Sequence, residues 1–313
     1  MDAPSPHFYD PRRGEEPVRL DRLILDGRPF EPERTNCFTI HWIESGSGQF
    51  WADATRFEFQ PNSLLFFVPY QHVRLVPWQA VQGTSIRFHA NFLCVETFHA
   101  EVGCSGILFN DPHGIPIVSL SDQERPDILH QVARLRDEQT RQQLAFREVM
   151  LAELKVLLIL ATRVKTSGKP AGPSGGTGPQ HPVVLQFREL IEQHYRELHS
   201  PSDYAERLHV SAKTLGRIVR ETLGTTPMEL IRSRILTHVK WQLLHTLRSV
   251  KEIAREVGFH DELYFSRVFR KATGCSPRFF REFETEIRGG SNLSMLSSEA
   301  SIPNSSDKAD SAL

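Results

Sequence analysis

Two stretches of this 313-residue chain are versions of one unit. Residues 204–227 read YAERLHVSAKTLGRIVRETLGTTP, and residues 253–277 read IAREVGFHDELYFSRVFRKATGCSP. Each opens with a bulky residue and a small one, Tyr204-Ala205 and Ile253-Ala254. Each passes through a short turn, Leu208-His209-Val210 and Val257-Gly258-Phe259, then continues with apolar residues at helical spacing. Each closes with Gly, one residue, a hydroxyl residue and Pro. A unit present only twice is not a solenoid, which needs at least three. The pattern within each copy is two helices joined by a sharp turn. Ala205 and Ala254 stand where those helices must approach closely, and Gly258 is expected at positive φ between them.

A plain helical bundle would satisfy the apolar spacing alone, so the opposite face decides. In the first copy Leu215, Ile218, Val219 and Leu223 form an inward stripe, which leaves Ala212, Lys213, Gly216, Arg217 and Arg220 facing out. In the second, Phe265, Val268 and Phe269 face in, while Glu262, Leu263, Ser266, Arg267, Arg270 and Lys271 face out. Arginine on such a face binds phosphate, or guanine through its two-pronged donor set. Arg217 and Arg267 are the expected base-reading pair, with Lys213 and Arg220 on the phosphate backbone. Gly216 lowers helix propensity by up to about 1 kcal/mol relative to Ala, and it removes a side chain from the reading face.

The segment between the copies fits the same purpose. Thr226-Pro227-Met228-Glu229 is a capping box with Pro at the first helical position. The helix it starts runs to about Leu247 without Pro or Gly. Roughly 20 residues at about 1.5 Å each make a rod of about 30 Å, close to the roughly 34 Å between successive turns of one DNA groove. One chain can then set two reading helices in adjacent major grooves.

With these residues in place, residues 183–287 resemble the DNA-binding domain of the AraC/XylS family of bacterial transcription regulators. The stretch VGFHDELYFSRVFRKATGCSP carries the family's most specific motif, while the first copy departs from it at His209, where Gly is usual. The stretch NSLLFFVPYQHVRL, residues 62–75, resembles the family's cupin-like sensor barrel more loosely. The resemblance implies double-stranded DNA and RNA polymerase as partners, more often activation than repression, and control by a small-molecule effector. It also implies a homodimer formed by helices that follow the barrel.

The rest of the chain divides accordingly. After an N-terminal arm (1–17), residues 18–121 read as short strands rich in β-branched and aromatic residues: Cys37–Trp42, Gln49–Trp51, Arg56–Phe59, Ser63–Val68 and Thr84–Phe88. Such spacing suggests a small barrel or sandwich. Residues 122–167 turn helical, and LAELKVLLILA is apolar nearly all round, so it must be covered on more than one side. Its Leu154 and Leu158 are the expected dimer contacts. Residues 168–181 open with GKPAGPSGGTGP, a flexible linker. The double helix-turn-helix spans 182–288, and a Ser- and Asn-rich tail, expected to be disordered, follows from 289 to 313. The fold class expected is α+β: a cupin-like β-barrel with two helices, then an all-α double helix-turn-helix.

Composition excludes several alternatives. No apolar run reaches membrane-spanning length, the first residues lack a signal-peptide core, and the four cysteines show no paired spacing. A reducing cytoplasm fits these traits. The net charge of −1 conceals two halves. Residues 1–165 hold 17 Lys and Arg against 21 Asp and Glu, whereas residues 181–290 hold 18 against 14. The excess is modest, so affinity for DNA should rest on placed arginines more than on bulk charge.

The rival reading is a cupin-type enzyme, an oxygenase or isomerase, fused to a DNA-binding module. Metal-binding cupins supply a close His pair, a Glu and a later His. Here the strand after Gly48 reads QFWADATRFEF, so His72 stands without those partners. No phosphate loop or nucleophile elbow is present. No metal, no cofactor and no catalytic residue is therefore expected. Phe38, Trp42, His72 and Arg74 are the expected lining of an effector pocket for a small anionic molecule, although aromatic residues in a barrel also serve simply as filling.

Overall fold

A computed structural model describes residues 7–53, 55–94, 98, 106–109, 115–167 and 181–288. Two antiparallel sheets form the N-terminal unit. One contains β1 (Val18–Leu25), β7 (Val81–Phe88), β2 (Phe38–Ser45), β5 (Ser63–Phe67) and β8 (Ile117–Ser119), hydrogen-bonded in that order. The other contains β4 (Thr55–Phe59), β3 (Gly48–Ala52) and β6 (Val73–Pro77) in that order. No ladder closes the two into one cylinder among the described residues; a single bridge, Phe30 to Leu75, extends the smaller sheet. The sheets pack as a sandwich around Ile43, Phe50, Phe59, Leu65, Phe67 and Leu75. Among the described residues the expected cupin-like barrel is seen as two facing sheets that no ladder closes.

The outer face of the five-stranded sheet is covered by α1 (Arg125–Arg141) and α2 (Phe146–Thr166). That is why β5 is buried at every position: alternate residues serve the sandwich and the helix layer. It also corrects the expectation for LAELKVLLILA. Leu154 and Leu158 are fully buried within the chain, together with Met150, Leu157 and Ala161, against Ile40, Trp42 and Leu64 of the sheet. The apolar excess of α2 is used by its own fold.

The C-terminal unit is helical, with α3 (Pro182–His194), α4 (Pro201–Arg207), α5 (Ala212–Leu223), α6 (Pro227–His245), α7 (Val250–Glu256), α8 (Glu262–Thr273) and α9 (Pro277–Ile287). One core joins them, built on Phe187, Tyr204, Leu215, Val239, Ile253, Phe265 and Phe269. The Thr226/Glu229 capping box opens α6 as the sequence indicates, and a second box, Ser249/Glu252, opens α7. The glycine-rich stretch 168–180 and the tail from 289 fall outside the described residues. Among the described residues no helix is long and apolar enough to cross a membrane.

Candidate nucleic-acid interface

The two helix-turn-helix turns share one hydrogen-bond pattern. In the first, the N–H of His209 donates to the Glu206 carbonyl at 3.0 Å and that of Val210 to Ala205 at 3.0 Å. In the second, Gly258 donates to Arg255 at 3.1 Å and Phe259 to Ala254 at 2.8 Å. This pair of bonds is the Schellman ending, which needs one left-handed residue. His209 supplies it at φ 55° and Gly258 at φ 80°. The backbone freedom of Gly258 was legible in the sequence, but a second demand on it was not. A Cβ at Gly258 would lie 2.1 Å from the His199 ring, which folds over the turn from the loop between α3 and α4.

Each following helix is capped at both ends. The Ser211 hydroxyl accepts the Thr214 N–H, and the Asp261 carboxylate accepts those of Leu263 and Tyr264. Gly224 and Gly274 close α5 and α8 in the left-handed region. Leu215, Ile218 and Val219 anchor α5 in the core; Phe265 and Phe269 anchor α8.

The outward faces then carry the residues expected there. Ala212, Lys213, Arg217 and Arg220 are exposed on α5, with Gly216 half-buried beside open space. Lys213, Thr214, Arg217, Arg220 and Glu221 line a shallow concavity of about 480 Å³. Glu221 holds Arg217 at 2.7 Å, an exposed pair easily exchanged for phosphate. On α8, Glu262, Leu263, Arg267 and Arg270 are exposed and Ser266 is half-buried. Leu263 is 76% exposed, and the neighbouring Tyr264 is 50% exposed. Tyr264 escaped the sequence reading because an aromatic in a helix pattern suggests core. Two bare apolar side chains at the start of a basic helix are instead suited to thymine methyl groups.

The expected effector residues do not converge. Trp42 lies in the layer between sheet and helices, and Arg74 lies on the outer surface of the small sheet, over the Trp51 ring. Alternation along a strand gives shared faces, not what covers each face, hence the error. Phe38 and His72 both line a different cavity, of about 1030 Å³, between the N-terminal unit and the DNA-binding unit. His72 is paired there with Glu31. The cavity also receives Arg34 and Lys240, whose pKa values are both lowered chiefly by loss of water around the cation. Lys240 reaches only the Pro69 carbonyl at 3.4 Å and the Tyr70 ring at 5.9 Å, with no ion pair among the described residues. Among the described residues no cluster of His, Cys, Asp and Glu could hold a metal.

Two basic reading helices on capped, duplicated turns define a protein that binds duplex DNA. Residues 204–282 match a helix-turn-helix domain family. The chain is 28% identical over 200 residues to the HTH-type transcriptional activator RhaR of Cronobacter sakazakii, covering 62% of this chain and 68% of that one. It is 33% identical over 104 residues to the arabinose operon regulatory protein of Salmonella typhimurium, covering 33% of this chain and only 37% of that protein. Among solved structures, the C-terminal domain of AraT from Geobacillus stearothermophilus is 32% identical, over 34% of this chain and 88% of that one, with a TM-score of 0.32. Residues 204–282 thus belong to that helix-turn-helix domain family, and the relatives the chain matches are transcription regulators of the AraC type rather than enzymes.

Proposed function

We propose that this protein is a sequence-specific transcription activator of the bacterial cytoplasm, acting as a homodimer with RNA polymerase under control of a small anionic effector. The carrying observation is the pair of exposed basic faces, Lys213/Arg217/Arg220 and Arg267/Arg270, set on turns of identical hydrogen bonding. Activation follows the printed role of the RhaR relative. The N-terminal unit keeps its reading as a cupin-like sensor, with two facing sheets. The effector reading moves to the cavity between the units, whose lining includes Phe38, His72 and the cations Lys240 and Arg34. A desolvated cation without a carboxylate partner is costly, and an anionic ligand offsets that cost. Genome-wide mapping of bound DNA, followed by reporter assays at the bound promoters, tests the reading. Discrete sites whose reporters fall silent in the Arg217→Ala/Arg267→Ala variant are expected; uniform, sequence-independent occupancy would remove it.

A further inference from the structure

The junction of the two units is organised around one buried carboxylate. Glu284, on α9 of the DNA-binding unit, is 1% exposed. Its Oε1 accepts the Tyr70 hydroxyl proton and the Asn36 amide at 3.2 Å. Its Oε2 lies 3.4 Å from His89 Nε2 and 3.3 Å from the Arg288 guanidinium. Three of these four partners belong to the N-terminal unit. Tyr70 itself leaves the turn between β5 and β6 and sits in the core of the DNA-binding unit, 4.8 Å from the Phe280 ring. To do so it holds φ at 64°, a left-handed backbone that is costly for an aromatic residue. The Tyr70 N–H is anchored to the Thr35 carbonyl at 2.7 Å.

The same junction touches both reading helices at their C-terminal ends. The Arg34 guanidinium donates to the Lys271 carbonyl at 3.0 Å, and the Arg56 side chain packs against Gly224. Their N-terminal turns, with Lys213 and Leu263, stay exposed.

We propose that the Tyr70 turn is a releasable latch, seated on Glu284, that fixes the orientation of the DNA-binding unit against the sensor. A permanent seam would be expected to be apolar. A carboxylate whose donors come from across the seam is satisfied when the seam is closed and is hydrated when it opens, so neither state strands a charge. Opening also relieves the backbone of Tyr70. Because Tyr70, Asn36 and Glu284 line the interdomain cavity, anything that fills the cavity acts on the latch directly. The latch does not depend on the identity of an effector.

The test uses the full chain with Tyr70→Phe, Glu284→Gln and both together, read by peptide-resolved hydrogen exchange and small-angle scattering. Each single variant should speed exchange in α9 and in residues 68–71 at least tenfold and enlarge the radius of gyration, leaving α1, α2 and α5 unchanged. The double variant should equal the more affected single, because the Tyr70–Glu284 bond that closes the latch is weakened in all three, whatever else Glu284→Gln disturbs. Unchanged exchange in α9, or effects that simply add, would overturn the latch. Should Tyr70→Phe or Glu284→Gln loosen the whole chain, Asn91→Ala decides. It removes only the 2.7 Å bond to the Ile287 carbonyl at the edge of the same seam. It should open α9 alone, and protection retained there would equally overturn the proposal. Specific DNA binding, measured in parallel, separates a failed latch from a failed assignment as a DNA-binding regulator.

Discussion

At the scale of single residues, the outward positions of α5 and α8 were legible because helical period and charge point the same way. Arg267 has no carboxylate partner among the described residues, only a 3.4 Å contact from Nε to the Leu263 carbonyl, so its donors are available to a base. Arg267→Ala should weaken binding to a specific site by about 1–3 kcal/mol with little change in folding; titration of labelled duplexes at fixed salt checks this, and unchanged affinity would take Arg267 off the interface. Gly216 offers a sharper probe. A Cβ there meets nothing within 4 Å in the free protein. Gly216→Ala should therefore stabilise α5 by up to about 1 kcal/mol and weaken DNA binding only if duplex backbone approaches that point. A thermal melt and a binding curve on the same variant separate the two effects. Gly258 shows where sequence falls short. Asn tolerates the left-handed region well, and on backbone grounds alone Gly258→Asn would be mild. The His199 ring occupies the space any Cβ would need, and His199 is 59 positions away, invisible to local reasoning. Gly258→Asn should lose binding to the second half-site in a footprint, and Gly258→Asn with His199→Ala should recover much of it.

At the scale of elements, strands and helices were largely readable, while the partner of each face was not. The expected strand Thr84–Phe88 runs from Val81, and the helix expected over 144–165 runs over Phe146–Thr166. What the pattern could not assign was which face of β2 met sandwich and which met helix, so Trp42 was placed in a pocket it does not line. The neighbouring residue, His41, takes the other side. It is buried near Phe67 with Nδ1 unsatisfied among the described residues, and burial, reinforced by Arg87, lowers its pKa from 6.5 to about 4. The unfolded chain therefore binds a proton that the folded chain refuses between these values. Stability should be fully present above pH 6.5 and fall as pH drops towards 4, by roughly 3 kcal/mol from this residue. Urea melts at pH 7 and pH 5 measure the slope. His41→Leu should make it shallower, and an identical slope would assign the acid sensitivity elsewhere.

At the scale of the whole molecule, a strand-rich first part and a helical last part could be anticipated from the sequence pattern, but the way they meet could not. Asn36 and Glu284 are 248 positions apart, and no periodicity links them. The same limit governs self-association. Apolar excess in α2 suggested a dimer face at Leu154 and Leu158, yet both are fully buried inside one chain. What the helix pair leaves outside is Leu129 on α1, 48% exposed, and Val156 on α2, 42% exposed. A dimer formed through these helices would use this outer surface, and the two kinds of substitution should behave differently. Leu154→Glu buries an unpaired carboxylate and should cost several kcal/mol of stability, so it reads as misfolding. Val156→Glu and Leu129→Glu place charge on an already wet surface and should leave folding within about 0.5 kcal/mol of wild type. If the outer face joins two chains, each should raise the dimer dissociation constant at least tenfold in sedimentation equilibrium and lower occupancy of paired half-sites, sparing a single half-site. A wild-type chain that sediments as a monomer at micromolar concentration, or variants that dimerise as well as wild type, would leave that face without a partner copy.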